Sequence, residues 1–278
     1  MTRQTDAGAA LDLDAYLRRI DYRGGLAPTR GTLEALHLAH ATHIPFENLD
    51  ILRGLPIRLD LASLQAKLVG ARRGGYCFEQ NQLFAAVLEN LGFVVTRLAA
   101  RVRYRTTDVL PRTHMLLLVD TDGQRCVADV GFGASGFLAP VPFGEGEESR
   151  QSAWRYRAVD DAGVWVMQSS NDADWEDLYA FTLEPQLPVD YEIANYYTST
   201  HPASRFVRTL TAQRLTPEAR YTLRGREYIE ERGATVTRRT LSDDDEVRAL
   251  LAGTFGLSVP QEMRLAPDSG ATHLVNVG

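Results

Sequence analysis

The stretch THMLLLVDTDGQRCVADVGFG, residues 113–133, reads as two apolar strands folded back on each other at Asp122-Gly123. An Asp-Gly pair between apolar runs marks a β-hairpin, because these residues tolerate the positive φ that a two-residue turn demands. With Asp122-Gly123 as the loop, paired residue numbers sum to 245, so His114 faces Gly131 and Asp129 is its diagonal neighbour. With Thr121-Asp122 as the loop the sum is 243, and His114 faces Asp129 directly. In both registers the two side chains share a face within reach of each other. Asp129 is read as part of an otherwise apolar strand, VADVGF, where an unpaired carboxylate carries a heavy desolvation cost that a histidine partner removes. Cys126 has the opposite parity and is expected in the core.

Outward from the hairpin, VVTRLAARVRY, WRYRAVD, VWVMQ and DLYAFTL show a period of two or short apolar runs, with a turn signal at Asp161-Ala162-Gly163. Six short strands without long helices predict an antiparallel sheet or barrel over residues 93–187. Before it the period is helical. Leu13, Tyr16, Leu17 and Ile20 form one stripe, Leu33, Leu36 and His40 a second, Leu61, Leu64 and Leu68 a third, and Leu83, Phe84, Val87, Leu88 and Leu91 a fourth, ending at Gly92 as a C-cap. Residues 1–92 are therefore expected to be a helical bundle. From residue 188 to 278 the patterns mix: YEIANYY, then RLTPEARYTL and GATVTRRTL, then a closing helix from Ser242 whose acidic run DDDE suits a helix N-terminus. The fold class is α+β, in three units.

Composition narrows the function. The chain has 278 residues, 44% hydrophobic, enough to bury a substantial core, and a net charge of −6. Its arginines are scattered rather than gathered into a basic stripe, so no nucleic-acid partner is expected. Neither a signal peptide nor a membrane span is read from the sequence, and a cytoplasmic location is expected. Two cysteines, Cys77 and Cys126, make no disulfide framework.

Cys77 follows Gly74-Gly75 and opens the fourth helical stripe. A thiol at a helix start faces unpaired N–H groups and the positive end of the macrodipole, both of which favour thiolate. The two glycines suit a tight turn that brings backbone close to a ligand. Of six histidines, His37, His40 and His43 fall on or beside one helix, where core or surface roles are expected; His201 and His273 carry no such context, and His114 shares its face with Asp129. Cysteine, histidine and aspartate in that order support acyl transfer, as in a cysteine-protease-like core: the thiol carries the acyl group, the imidazole moves the proton and the carboxylate fixes the tautomer. A thiol protease, a transglutaminase and an acyltransferase all remain open on this ground. A metal site is disfavoured, since CxxC-type spacing is missing.

At these residues the chain closely resembles the arylamine N-acetyltransferase family, prokaryotic type. The matching pieces are IPFENL (44–49), RGGYCFEQN (73–81), THM (113–115), DVGFG (129–133) and NYYTSTHP (195–202). The resemblance implies a helical first domain (1–92), a β-barrel second domain (93–187) and an α/β third domain (188–278) acting as a lid. It implies Cys77, His114 and Asp129 as the catalytic residues, and Phe46, Thr113, Phe132, Gly133 and Phe206 around the acceptor. It also implies a ping-pong reaction in which acetyl-coenzyme A acetylates the cysteine and an arylamine, hydrazine or arylhydroxylamine takes the acetyl group, as in xenobiotic metabolism. Acetyl-coenzyme A is then a co-substrate, with no permanently bound cofactor and no metal. No phosphate-cradling glycine loop is present, and STHPASRF, with Ser199 and Thr200, is the expected phosphate contact. The protein is expected as a monomer or homodimer. Family relatives that close macrolactam rings on carrier-bound polyketide chains make an amide synthase the alternative, and a silent binding protein of the same fold a third reading.

Overall fold

The computed structural model describes residues 10–171, 174–263 and 265; His273 lies outside the described residues. The chain opens with helices α1 (Leu13–Arg19), α2 (Arg30–His43), α3 (Leu49–Leu52), α4 (Leu61–Leu64), continued by a π-helical turn over Gln65–Gly70, and α5 (Cys77–Asn90). The stripes read from the sequence are the buried faces: Tyr16, Ile20, Leu33, Leu36, Leu68, Leu83, Phe84 and Leu88 have no exposed surface. Helix α5 runs through the middle of this core. Its first turn is buried on its polar side as well, at Glu79, Gln80 and Asn81, so each of those side chains needs a partner inside the protein. A two-residue strand, β1 (Phe46–Glu47), interrupts the helices; so short a strand shows no alternation and was not expected.

Eight strands follow: β2 (Val94–Val102), β3 (Arg112–Thr121), β4 (Gln124–Ala128), β5 (Val141–Pro142), β6 (Glu148–Gln151), β7 (Trp154–Asp161), β8 (Val164–Ser170) and β9 (Glu176–Phe181). They form one antiparallel sheet in the order β5-β4-β3-β2-β9-β8-β7-β6, and β5 returns against β6 and β7, curling the sheet into a nearly closed barrel. Six were expected; β5 and β6 are too short to carry a period. The sheet has two apolar faces. Leu116, Leu118, Val127, Tyr156, Met167 and Tyr179 fill the barrel, while Met115, Leu117, Val119, Cys126 and Ala128 pack on the helices.

Asp122 and Gly123 form the β3–β4 turn, with φ of 52° and 78°, the two positive values a type I′ turn requires. Thr121 pairs with Gln124 and Val119 with Cys126, which selects the 245 register. The ladder stops at Leu117–Ala128, so Asp129 is not part of a strand, contrary to the reading of VADVGF. Its N–H bonds to a side chain instead, as described below.

The rest of the chain builds a second sheet, β1-β10-β11-β12-β13, from β10 (Thr211–Leu215), β11 (Arg220–Arg224), β12 (Glu227–Arg232) and β13 (Thr235–Thr240). Helices α6 (Pro188–Thr200), α7 (Arg205–Arg208) and α8 (Asp244–Phe255) accompany it. Asp243 caps α8 by accepting the Glu246 N–H at 2.9 Å; the acidic run stands at the helix start, where the sequence placed it on electrostatic grounds. Strand β1 ties the helical segment to the second sheet. Phe46 pairs with Gln213, and Asn48 donates to the Phe206 and Thr209 carbonyls at 2.7 and 2.8 Å. No helix among the described residues is long and apolar enough to cross a membrane.

Candidate active site

Cys77 is the first residue of α5, after Tyr76 at the N-cap. The Glu79 carboxylate accepts the Tyr76 N–H at 3.1 Å, half of a capping box that fixes where the helix begins. The glycines before it approach protein backbone rather than a ligand, which corrects the sequence reading. Gly75 donates to Pro45 O at 3.3 Å and accepts from Glu47 N at 3.1 Å, and a Cβ on Gly74 would collide with the Pro45 carbonyl. Below this turn lies a buried ion network. Lys67 bridges Asp50 (2.9 Å) and Glu79 (2.7 Å), and Arg73 bridges Glu47 (2.7 Å) and Asp50 (3.1 Å). Burial nevertheless pushes the Glu79 carboxyl up to about 7. The IPFENL segment and the turn carrying Cys77 are thus one cross-linked unit.

The His114 ring closes over the thiol from β3. Its Nε2 lies 2.7 Å from Asp129 Oδ2, with both side chains buried, and the ring is also within hydrogen-bonding reach of Cys77; with Nε2 committed to Asp129, Nδ1 is left for the sulfur. The Cys77 thiol additionally lies 3.6 Å from the Thr113 carbonyl. Burial alone would lower the His114 pKa, but the Asp129 charge and hydrogen bond, together with Cys77, push it up to about 10. Burial would raise Asp129; the His114 charge and hydrogen bonds from His114, Asn81 and the Gly131 N–H hold it below the usual carboxylate range instead.

Asn81 was missed from the sequence. Its amide donates to Asp129 Oδ1 at 2.8 Å and to Met115 O at 2.7 Å, and its oxygen accepts the Val130 N–H at 3.0 Å. The signal was available: residue 81 follows residue 77 by four, one turn along the same helix face. His37, read only as a core or surface residue, is fully buried and accepts the Asp129 N–H at 3.2 Å. Nothing in the sequence places α2 behind that loop. His40 is also buried, and His43 and His201 are exposed.

Cys77 and His114 open onto a cleft of about 460 Å³ that Phe46, Thr113, Phe132 and Phe206 also line. The Phe132 ring meets His114 edge-on at 5.1 Å, and Phe206 packs on Phe46 at 5.7 Å. Gly133 is not on the cleft wall; it sits behind Phe132 with φ of 86°, where a Cβ would run into Gln213. Ser199 and Thr200 are not on it either. Their hydroxyls donate back to the Asn195 and Tyr196 carbonyls of α6, at 2.7 and 2.5 Å, as serine and threonine do within helices. Thr198, Ser204 and Arg205 line the cleft in their place. Cys126 is buried against the helices, and among the described residues no group of three or more His, Cys, Asp or Glu side chains could hold a metal ion.

A family model described as N-acetyltransferase matches residues 30–264. An arylamine N-acetyltransferase of Mycolicibacterium smegmatis is 39% identical over 256 residues, spanning 90% of this chain and 93% of the relative. A Salmonella typhimurium protein named arylamine N-acetyltransferase / N-hydroxyarylamine O-acetyltransferase is 37% identical over 89% of each chain. The solved structure of the Mycobacterium marinum arylamine N-acetyltransferase in complex with CoA superposes with a TM-score of 0.85 at 37% identity, covering 88% of this chain and 92% of the other. The sequence motifs, the barrel packed on a helical core and these matches over most of the chain together lead to one conclusion: the chain belongs to the arylamine N-acetyltransferase family, and it is an enzyme of that kind.

Proposed function

We propose that the chain transfers the acetyl group of acetyl-coenzyme A to an arylamine, hydrazine or arylhydroxylamine by a ping-pong mechanism through an acetyl-Cys77 intermediate. The observation that carries this reading is the His114–Asp129 bond of 2.7 Å, with the same imidazole in reach of the Cys77 thiol at the floor of an open cleft. His114 takes the thiol proton and the Asp129 carboxylate stabilises the imidazolium. The thiolate attacks the thioester carbonyl, and the Cys77 N–H at the helix start is the assigned donor to the developing oxyanion. The tetrahedral intermediate collapses with loss of coenzyme A thiolate, which His114 protonates. In the second half-reaction the neutral amine attacks the acetyl-cysteine, His114 removes the amine's proton, and the thiolate is regenerated.

Phe46, Phe132 and Phe206 make an aromatic slot suited to a flat amine. Arg105, Arg205, Arg224 and Arg238 line the cleft against Glu227 and Glu231, an excess of positive charge in a chain of net −6. That excess supports the donor's phosphates lying along this wall, beside Ser204 and Arg205, rather than at Ser199 and Thr200. The curated relatives carry the arylamine acetyltransferase name, which favours this reading over the carrier-dependent amide synthase. The test is incubation with acetyl-, propionyl- and malonyl-coenzyme A followed by intact mass and peptide mapping. An adduct of acetyl mass on Cys77 that an arylamine discharges is the expected result; an acetylated product formed with no cysteine adduct on the pathway would refute the ping-pong mechanism.

A further inference from the structure

We infer that His37 is a positioning residue for this reaction, holding the main chain of Asp129 so that its carboxylate meets His114. The inference rests on the triad reading above. Asp129 lies one residue past the end of β4, so no ladder partner takes its N–H. That N–H donates to His37 Nε2 at 3.2 Å, from a fully buried ring on α2. The next N–H, of Val130, goes to Asn81, and the one after, of Gly131, returns to Asp129 Oδ1 at 2.9 Å. The loop that aims the carboxylate is therefore held by two side chains from two helices, His37 from α2 and Asn81 from α5. Neither belongs to the barrel that carries His114.

The ring itself cannot turn freely. It stacks on Phe137 at 5.7 Å with an interplanar angle of 14°, and Phe84 meets it edge-on at 5.8 Å. The Leu138 main chain lies near enough to the ring to favour its charged form, and the buried Nδ1 makes no hydrogen bond among the described residues. To accept the Asp129 N–H, Nε2 must keep its lone pair, so the imidazole must be neutral with its proton on Nδ1. Burial, partly offset by the Leu138 main chain and by Asp129, keeps the His37 pKa at about 4, and His40 on the same helix adds no charge at neutral pH because burial holds its own pKa at about 3. The acceptor is thus present wherever the enzyme would work. Removing it leaves the Asp129 N–H buried without a partner and frees the loop to rotate.

The test compares His37→Phe and His37→Met, which have no acceptor, with His37→Gln, whose amide oxygen reaches about as far as Nε2. A displaced carboxylate stabilises the His114 imidazolium less. In the two apolar variants we expect single-turnover acetylation of Cys77 by acetyl-coenzyme A to fall about tenfold, within the range that small misplacements at an active site cause. The acid limb of iodoacetamide reactivity should also move up by about one pH unit, the same tenfold expressed as proton affinity. A loss of stability alone would not move that limb. His37→Gln should return both readouts to within about threefold of the parent, and in an Asp129→Asn background the His37 substitutions should have no further effect on rate. Either apolar variant, folded and with parental rate and limb, would overturn the proposal, as would a glutamine variant as impaired as the methionine one. Should Asp129→Asn alone acetylate at the parental rate, the triad reading fails first and takes this inference with it.

Discussion

His114 and Asp129 meet at 2.7 Å across the open end of a hairpin whose ladder has already stopped, at Leu117–Ala128. Backbone pairing therefore brings the two residues near each other but does not bond them. The carboxylate is aimed by Asn81 and the Gly131 N–H. Asp129→Asn keeps the shape but loses the charge that stabilises imidazolium, a change worth about 10⁴ in turnover in a comparable triad. The variant is expected to fold and to lose most acetylation of Cys77. A stable Asp129→Asn protein that acetylates at the parental rate, followed by intact mass, would leave only a Cys77–His114 dyad.

The two cysteines should behave oppositely. Cys77→Ala or Cys77→Ser is expected to abolish turnover with the melting profile retained. Cys126 packs with Val119 and Ala128 against the helices, so Cys126→Ala should lower stability by about 1–2 kcal/mol, as a small core truncation does, and leave turnover intact. Acetyl transfer assays beside thermal melts of all three variants separate the outcomes.

Gly131 tests how tightly the loop and the nucleophile's helix are fitted. A Cβ there would stand 2.7 Å from Cys77 Cα and 2.9 Å from Asn81 Nδ2, and the nearer of these is backbone that cannot swing away. Gly131→Ala should push Cys77 and Asp129 apart and cut kcat/KM by about 10²-fold, the cost of a misplacement near 1 Å. A variant within twofold of the parent would show that the site tolerates the shift.

Reactivity should report the ion pair. With the His114 pKa raised to about 10, the ring stays protonated beside Cys77 across the neutral range, and iodoacetamide should alkylate the protein rapidly well below pH ~8.5, the ordinary value for a free cysteine. His114→Gln should abolish that low-pH reactivity. A parental alkylation rate that titrates only near 8.5 would argue against the pair.

Acid stability should fall through the buried histidines. His40 is fully buried with Tyr16 OH at 2.8 Å from its Nδ1, and burial lowers its pKa from 6.5 to about 3. A depressed folded pKa means that the unfolded chain binds the proton first, so this contribution is complete above pH 6.5 and is lost as pH falls toward about 3. His40→Gln should flatten the stability–pH slope in that window by about 1.4 kcal/mol per pH unit, one proton's worth. Urea unfolding at pH 7 and pH 5 measures it; an unchanged slope would mean that His40 titrates alike in both states.

Local signals were strong enough in the sequence to place the helical stripes, the Asp122-Gly123 turn and the helix start at Cys77. Each depends on residues within a few positions of one another, where backbone sterics, capping and periodicity act directly. The nearness of His114 and Asp129 was legible because the Asp122-Gly123 turn folds their two segments together, although the strand parity used to read it ends one residue short of Asp129. What lay beyond the sequence depended on contacts between distant segments. Strand β1 is two residues long and exists only because β10 and Gly75 supply its partners. The glycines before Cys77 face the Pro45 backbone, a neighbour some thirty residues earlier in the chain. Ser199 and Thr200 sit in the right motif, yet their hydroxyls are taken by their own helix, which no residue type announces. His37 had only the pattern of a helix residue with a core or surface role. Only the packing of α2 behind the loop after β4 brings its ring nitrogen to the Asp129 N–H, because a hydrogen bond between residues 92 positions apart is set by tertiary geometry and leaves no trace in local periodicity.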